Sequence, residues 1–69
     1  MTLKEYRGYL GWSAAELARR AGLDAQTVRR AEKGEPTFFH TAGAIATALS
    51  KGLGKTVRIE DIEGLNVRE

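Results

Sequence analysis

Apolar residues recur along this chain at helical intervals, and glycines and short polar residues punctuate them where helix ends need caps. Leu3, Tyr6 and Leu10 share one face of a helix predicted over residues 3–10, which Gly11 ends. Thr2 and Glu5 stand at the spacing of a capping box, in which each side chain satisfies the other residue's free amide. Ser13 and Glu16 repeat that spacing, with Trp12 and Leu17 at the positions of a hydrophobic staple, and predict a second helix over 14–21. Leu23 and Val28 bracket Asp24 at the same staple interval, so a third helix is expected over 25–33, capped by Asp24 and stopped by Gly34. Pro36 breaks the chain. Thr37 is then expected to cap a fourth helix running through Ser50, with Phe39, Ala42, Ala46 and Leu49 as its apolar stripe. Gly43 would weaken this helix while admitting the close approach of a neighbour. Residues 50–56 hold two glycines and two lysines and read as a loop. Beyond them, Val57, Ile59, Ile62 and Leu65 fit either an extended stretch leading to a short helix over 59–63 or a strand over 57–59, and the helix is preferred.

The second and third helices carry the most specific signal. Leu17, Ala18, Ala21, Leu23, Val28 and Ala31 are the small and aliphatic residues that two short helices need where their axes meet steeply. Gly22 falls where the first of the pair must stop abruptly, in a left-handed conformation that costs glycine little. With Val28 directed at the core, a step of about 100° per residue puts Gln26, Arg29, Arg30 and Lys33 on the opposite, exposed side. Three cations and an amide on one face suit a duplex groove, where arginine pairs with guanine edges or phosphate and glutamine with adenine. On an arbitrary helix the same residues would be an ordinary solvated face. The helix-turn geometry in front of them is what favours recognition.

Composition narrows the function classes. Sixty-nine residues, 42% hydrophobic, make one small domain spanning 1–69 with no room for a second core. A domain this small buries only about 60% of its unfolded surface, so binding is favoured over a catalytic cavity. The absence of cysteine excludes a disulfide framework or thiolate metal site, and one histidine argues against zinc. No cofactor or metal is expected, and no enzymatic activity. No apolar run approaches the roughly 20 residues that span a bilayer and no signal-peptide pattern is present, so a cytoplasmic location without membrane contact is expected. The net charge of +2 says little, but its distribution says more. Five cations lie between Arg19 and Lys33 against Asp24 and Glu32, whereas residues 59–69 carry four acids and one arginine. A basic middle and an acidic tail fit a domain that turns one face to phosphate.

Leu17-Ala18, Gly22, Val28 and the ending Glu32-Lys33-Gly34, at these intervals, resemble the lambda-repressor-like or Cro-type helix-turn-helix family, also called the xenobiotic-response-element family. The resemblance is ungapped over residues 7–34 and looser through the fourth helix. It implies an all-α fold, a compact four- to five-helix bundle with a helix-turn-helix unit over about 14–33, whose third helix enters the major groove of double-stranded DNA. It further implies base contacts from Ala25, Gln26 and Arg30 with Arg29 beside them; phosphate contacts are left, given the departures below, to Ser13, Thr27, Arg29, Lys33 and the amide terminus of the second helix. It also implies a structural ion pair between Arg7 and Glu32, sensible because a largely buried carboxylate needs a partner such as a bidentate arginine. Two positions depart from the family pattern. Ala14 stands where a phosphate-binding glutamine is common, and Gly34-Glu35-Pro36 follows the third helix where related phage repressors carry basic residues.

Other signals carry less. Gly52-Leu53-Gly54-Lys55-Thr56 has the ending of a phosphate-binding P-loop, but Leu49 occupies its first glycine position and a helix is expected where the motif needs a strand. His40 has no nucleophile arranged around it and reads as a surface residue. Phe38 and Phe39 are adjacent, so one helix cannot bury both; Phe39 continues the stripe and Phe38 is expected at the surface, over the core edge or in a subunit contact. The leading expectation is a DNA-binding transcriptional regulator of bacterial or phage type, a repressor acting as a homodimer on a two-fold site. No appended sensor is evident, so control by concentration or by a partner, without a small-molecule ligand, is expected. The alternative is a protein-interaction module, such as an antitoxin or an accessory subunit of a mobile-element complex, motivated by the thin phosphate complement, Phe38 and the acidic tail. Residues 57–69 are the expected dimer or partner surface.

Overall fold

A computed structural model describes residues 1–68 of the chain. Its elements are α1 (Leu3–Leu10), α2 (Ala14–Ala21), α3 (Ala25–Glu32), a short strand β1 (Thr37–Phe38), α4 (Phe39–Leu53), a 3-10 turn (Ile59–Asp61) and a second short strand β2 (Val67–Arg68). The fold is helical, with the two strands a minor parallel pair.

Local chemistry accounts for the first three helices. Thr2 Oγ1 accepts from the Glu5 amide at 3.2 Å while Glu5 Oε1 accepts from the Thr2 amide at 2.8 Å, closing the capping box of α1. The second box forms only by half. Ser13 Oγ accepts from the Glu16 amide at 3.0 Å, but the Glu16 carboxylate turns outward to Arg19 and Arg20. Two strong charge-assisted bonds to guanidinium outcompete one bond to a neutral amide. Gly22 has φ +74° and the Leu23 amide reaches back to the Ala18 carbonyl at 2.8 Å, ending α2 within one residue. Helix α3 ends at Glu32, one residue short of expectation, with Lys33 still right-handed and Gly34 at φ +84°.

Leu17, Val28, Ile45 and Leu49 are the largest fully buried side chains, so α2, α3 and α4 meet around one core that Leu3, Val57 and Ile62 close from the ends. Complete burial of each large aliphatic contributes roughly 1.5–3 kcal/mol. Trp12 lies against Gly52 of α4. A Cβ added to Gly52 would overlap the indole, at 2.7 Å from its Cζ2 atom. The close approach expected at Gly43 is absent there, with nothing within 4 Å of an added Cβ.

The fourth helix and the tail depart most from expectation. Thr37 does not cap α4. It is buried within β1, its amide donating to the Asn66 carbonyl at 2.7 Å and its hydroxyl to Glu35 at 3.1 Å. Helix α4 starts at Phe39, one residue later than that cap would place it, with Phe38 at its N-cap and no side-chain cap bond. The buried face of α4 centres on Ala42, Ile45 and Leu49, which leaves Phe39 at its margin. Thr41, Ala42, Ile45, Ala46, Ala48 and Leu49 are buried, whereas Phe39 is 61% exposed. The helix also runs through residues 50–53, read from sequence as loop, because Ser50 Oγ accepts from the Val57 amide at 2.8 Å and folds the following segment back on the helix. The tail forms one 3-10 turn at Ile59–Asp61, shorter than the helix expected over 59–63, and no strand over 57–59. The strand is instead β2, paired in parallel with β1 in the register Thr37↔Val67 and Phe38↔Arg68. Glu69, the last residue of the expected partner surface, lies outside the described residues. Among those described, no helix is long and apolar enough to cross a membrane.

Candidate nucleic-acid interface

Asp24 begins the site by fixing the start of α3. Its carboxylate accepts from the Thr27 amide at 2.7 Å. The amide and hydroxyl of Thr27 hold the Asp24 carboxyl below the usual carboxylate range, and the charge of Arg30 adds to the effect. Val28 and Ala31 on the same helix are buried, so its other side faces outward. Gln26, Arg29, Arg30 and Lys33 are exposed there, with Ala25 and Thr27 half-buried at the first turn and Ser13 exposed at the start of α2.

The far end of α3 is anchored by charge. Arg7 Nε donates to Glu32 Oε2 at 2.6 Å and its Nη2 donates to Oε1 at 3.1 Å, while Nη1 donates to the Trp12 carbonyl at 3.1 Å. One planar guanidinium thus joins the end of α1, the turn before α2 and the last turn of α3. The two side chains are only 18% and 13% exposed, and the Glu32 bonds raise the Arg7 pKa further. Because Glu32 is occupied by Arg7, it does not neutralise the arginines beside it.

Among the described residues, Arg29, Arg30 and Lys33 pair with no carboxylate. The basic residues of α2 differ. Glu16 Oε2 accepts from Arg19 Nη2 and from Arg20 Nε, both at 2.6 Å, and Arg20 also lies 4.5 Å from the centre of the Trp12 ring. Those two bonds hold the Glu16 carboxyl below its ordinary range. Of the two helices, α3 is therefore the one whose arginines share no carboxylate.

Depressions flank α3 on both sides. One, of about 360 Å³, is bordered by Lys4, Ala14, Arg29 and Lys33, with the Arg7–Glu32 pair at its floor. The other, of about 200 Å³, lies between Thr27 and Arg30 on one wall and Phe38 and Thr41 on the other. Sequence reasoning overlooked Lys4, which adds a cation beside Arg29 and Lys33. Its signal was available: Lys4 precedes Arg7 by one helical turn, on the side from which Arg7 reaches the end of α3.

Two short helices joined by a tight glycine turn, the second presenting uncompensated cations away from the core, define a helix-turn-helix DNA-binding domain. A family model described as a helix-turn-helix domain matches residues 1–54, and the chain belongs to that family. The match is consistent with the Cro or lambda-repressor type, a class that is typically non-enzymatic. Searches of the curated proteins and of the solved structures returned no match. Among the described residues there is no cluster of three or more histidine, cysteine, aspartate or glutamate side chains that could hold a metal ion.

Proposed function

We propose that the protein is a sequence-specific regulator of transcription, a cytoplasmic repressor that occupies an operator with α3 in the major groove. Gln26 and Arg30 read base edges, Ala25 allows the start of the helix to approach them, and Arg29 sits between base and backbone. Ser13, Thr27, Lys33 and Arg29 hold phosphates, joined by Lys4. The supporting observation is that Arg29, Arg30 and Lys33 are exposed on one side of α3 with no carboxylate partner among the described residues, while Arg19 and Arg20 share Glu16. The small number of phosphate contacts favours a homodimer on a two-fold symmetric site. Occupancy is then set by protein concentration or by a partner, with no small-molecule ligand required.

The test is selection of bound sequences from a random duplex pool with wild-type protein and Arg30→Ala. A palindromic site with half-sites about 10 base pairs apart is expected. The substitution should relax preference at one position per half-site, since a bidentate base contact gives roughly 1–3 kcal/mol of discrimination. Enrichment unchanged by Arg30→Ala rejects the role of that residue, and no enrichment at all rejects sequence reading.

A second reading, the protein-interaction module, draws on a groove of about 480 Å³ lined by Phe39, Ile59, Ile62, Leu65 and Val67 with Glu60 at its rim. Phe39 beside these tail residues gives an apolar surface suited to a protein partner. A partner retained after charge removal at Arg29, Arg30 and Lys33, together with no selected DNA site, would favour this reading.

A further inference from the structure

A cluster of aromatic and cationic side chains lies beside α3, assembled by the C-terminal strand. The parallel register sets Arg68 opposite Phe38. The Arg68 guanidinium lies 5.5 Å from the centre of the Phe38 ring, and the His40 ring stacks on Phe38 with centroids 5.8 Å apart and planes 10° from parallel. All three side chains are exposed. Among the described residues, neither Arg68 nor His40 pairs with a carboxylate. A cation held over an aromatic face is oriented without being neutralised, unlike one held by an acid. The Phe38 ring therefore gives the Arg68 guanidinium a set position.

Phe38, the platform of this stack, adjoins the recognition helix. Phe38 walls the depression whose opposite side is Thr27 and Arg30, so the stack continues the cationic surface of α3 toward the start of α4. No side chain caps α4, and its first-turn amides add partial positive charge beside the stack. Core packing does not account for a phenylalanine 57% exposed beneath an exposed arginine.

We propose that Arg68, with Phe38 as its platform, binds a backbone phosphate of duplex DNA flanking the groove that α3 enters. This rests on the reading of α3 as the groove-entering helix. Residues 55–69 fall outside the family match, so the contact is an addition made by the C-terminal segment to the shared domain.

The test measures binding of the full chain to a short random-sequence duplex by fluorescence anisotropy, over salt from about 50 to about 200 mM, with thermal melting in parallel. Wild type, Arg68→Ala, Arg68→Gln, Arg68→Lys, Phe38→Leu and Arg30→Ala are compared. The expected result is that Arg68→Ala and Arg68→Gln weaken binding several-fold. Both should reduce the slope of log K against log salt by about 0.9, the value for one lost phosphate contact. Arg68→Lys should retain the slope, and Phe38→Leu should weaken binding without removing a charge. A lower melting temperature with an unchanged salt slope would make Arg68 a pin for the tail and overturn the proposal. Binding weakened by Arg30→Ala but untouched by either neutral Arg68 variant overturns this proposal and leaves the reading of α3 standing. A wild-type chain that binds no duplex overturns both.

Discussion

Helices α2 and α3 are of equal length and carry the same local pattern with one atom-level difference. In α2, Glu16 precedes Arg19 and Arg20 by three and four residues; in α3, Gln26 precedes Arg29 and Arg30 by the same intervals. Residues three and four apart share a helix face, so the side chain at the first position is within reach of both arginines. Glutamate takes both guanidiniums at 2.6 Å. Glutamine carries no charge and leaves its arginines to the solvent. Exposed pairs of this kind contribute little to stability, so the exchange of carboxylate for amide acts mainly on which charges remain available to a polyanion. In α2 two exposed arginines share one carboxylate, whereas Arg29 and Arg30 of α3 share none.

Gln26→Glu should break that distinction with the largest effect. Glutamate at the second position of α3 is favoured by the positive end of the helix, so the fold should be retained or slightly stabilised. Arg29 and Arg30 would then be drawn into internal pairs, and the glutamate itself would repel phosphate. Affinity for an operator should fall about 100-fold, with Gln26→Ala falling only about tenfold because it loses a base contact and leaves both arginines free. Titration of the selected duplex decides between them. Equal losses for the two variants would mean that pairing within α3 does not control the binding charge.

The next effect falls on the acid that α3 does possess. Glu32 lies within reach of Arg29 but is committed to Arg7 through two bonds in a mostly buried setting. Glu32→Ala leaves the guanidinium partly buried with only the Trp12 carbonyl, which should cost about 2 kcal/mol. For a domain of this size that lowers the melting temperature by about 10 °C. Calorimetry checks it. A melting temperature unchanged by Glu32→Ala would show that α3 is held by Val28 and Ala31 alone.

How much of this was readable from sequence depends on the range of the interactions involved. The limits of α1 and α2 and the start of α3 follow from residues within a few positions of each end: Thr2 with Glu5, Ser13 with Glu16, Asp24 with Thr27. The start of α4 does not. Thr37 has the chemistry of a cap, but a strand partner 30 residues away takes its residue into β1, and two paired residues leave no periodicity to read. Phe39 was misplaced because the stripe drawn through Ala42, Ala46 and Leu49 sits to one side of the face that packing buries, which includes Thr41, Ile45 and Ala48. Gly52 could not be told from a loop glycine, because what it accommodates is Trp12, far off in the chain. In the candidate site, helical spacing alone put Gln26, Arg29, Arg30 and Lys33 together on the outside of α3. Lys4 and the Arg68–Phe38 stack reach it through tertiary contacts that spacing does not record.

Glu16→Gln makes the converse change and should have the smallest effect. It gives α2 the amide of α3 and releases Arg19 completely, while Arg20 stays over the Trp12 ring. Binding to random-sequence duplex should strengthen about two- to fivefold, and the salt slope should steepen by less than about 1, the contribution of at most one added phosphate contact. Acid does the same to the wild type. The folded Glu16 carboxyl lies below its ordinary range, so its pairing stabilises the fold above the unfolded value near pH 4.3 and is lost as pH falls through the lower folded value. The melting temperature of wild type should therefore approach that of Glu16→Gln only below about pH 4. A gap between the two that closes already near pH 6 would assign the difference to a group other than Glu16, and would remove the carboxylate as the reason α2 and α3 diverge.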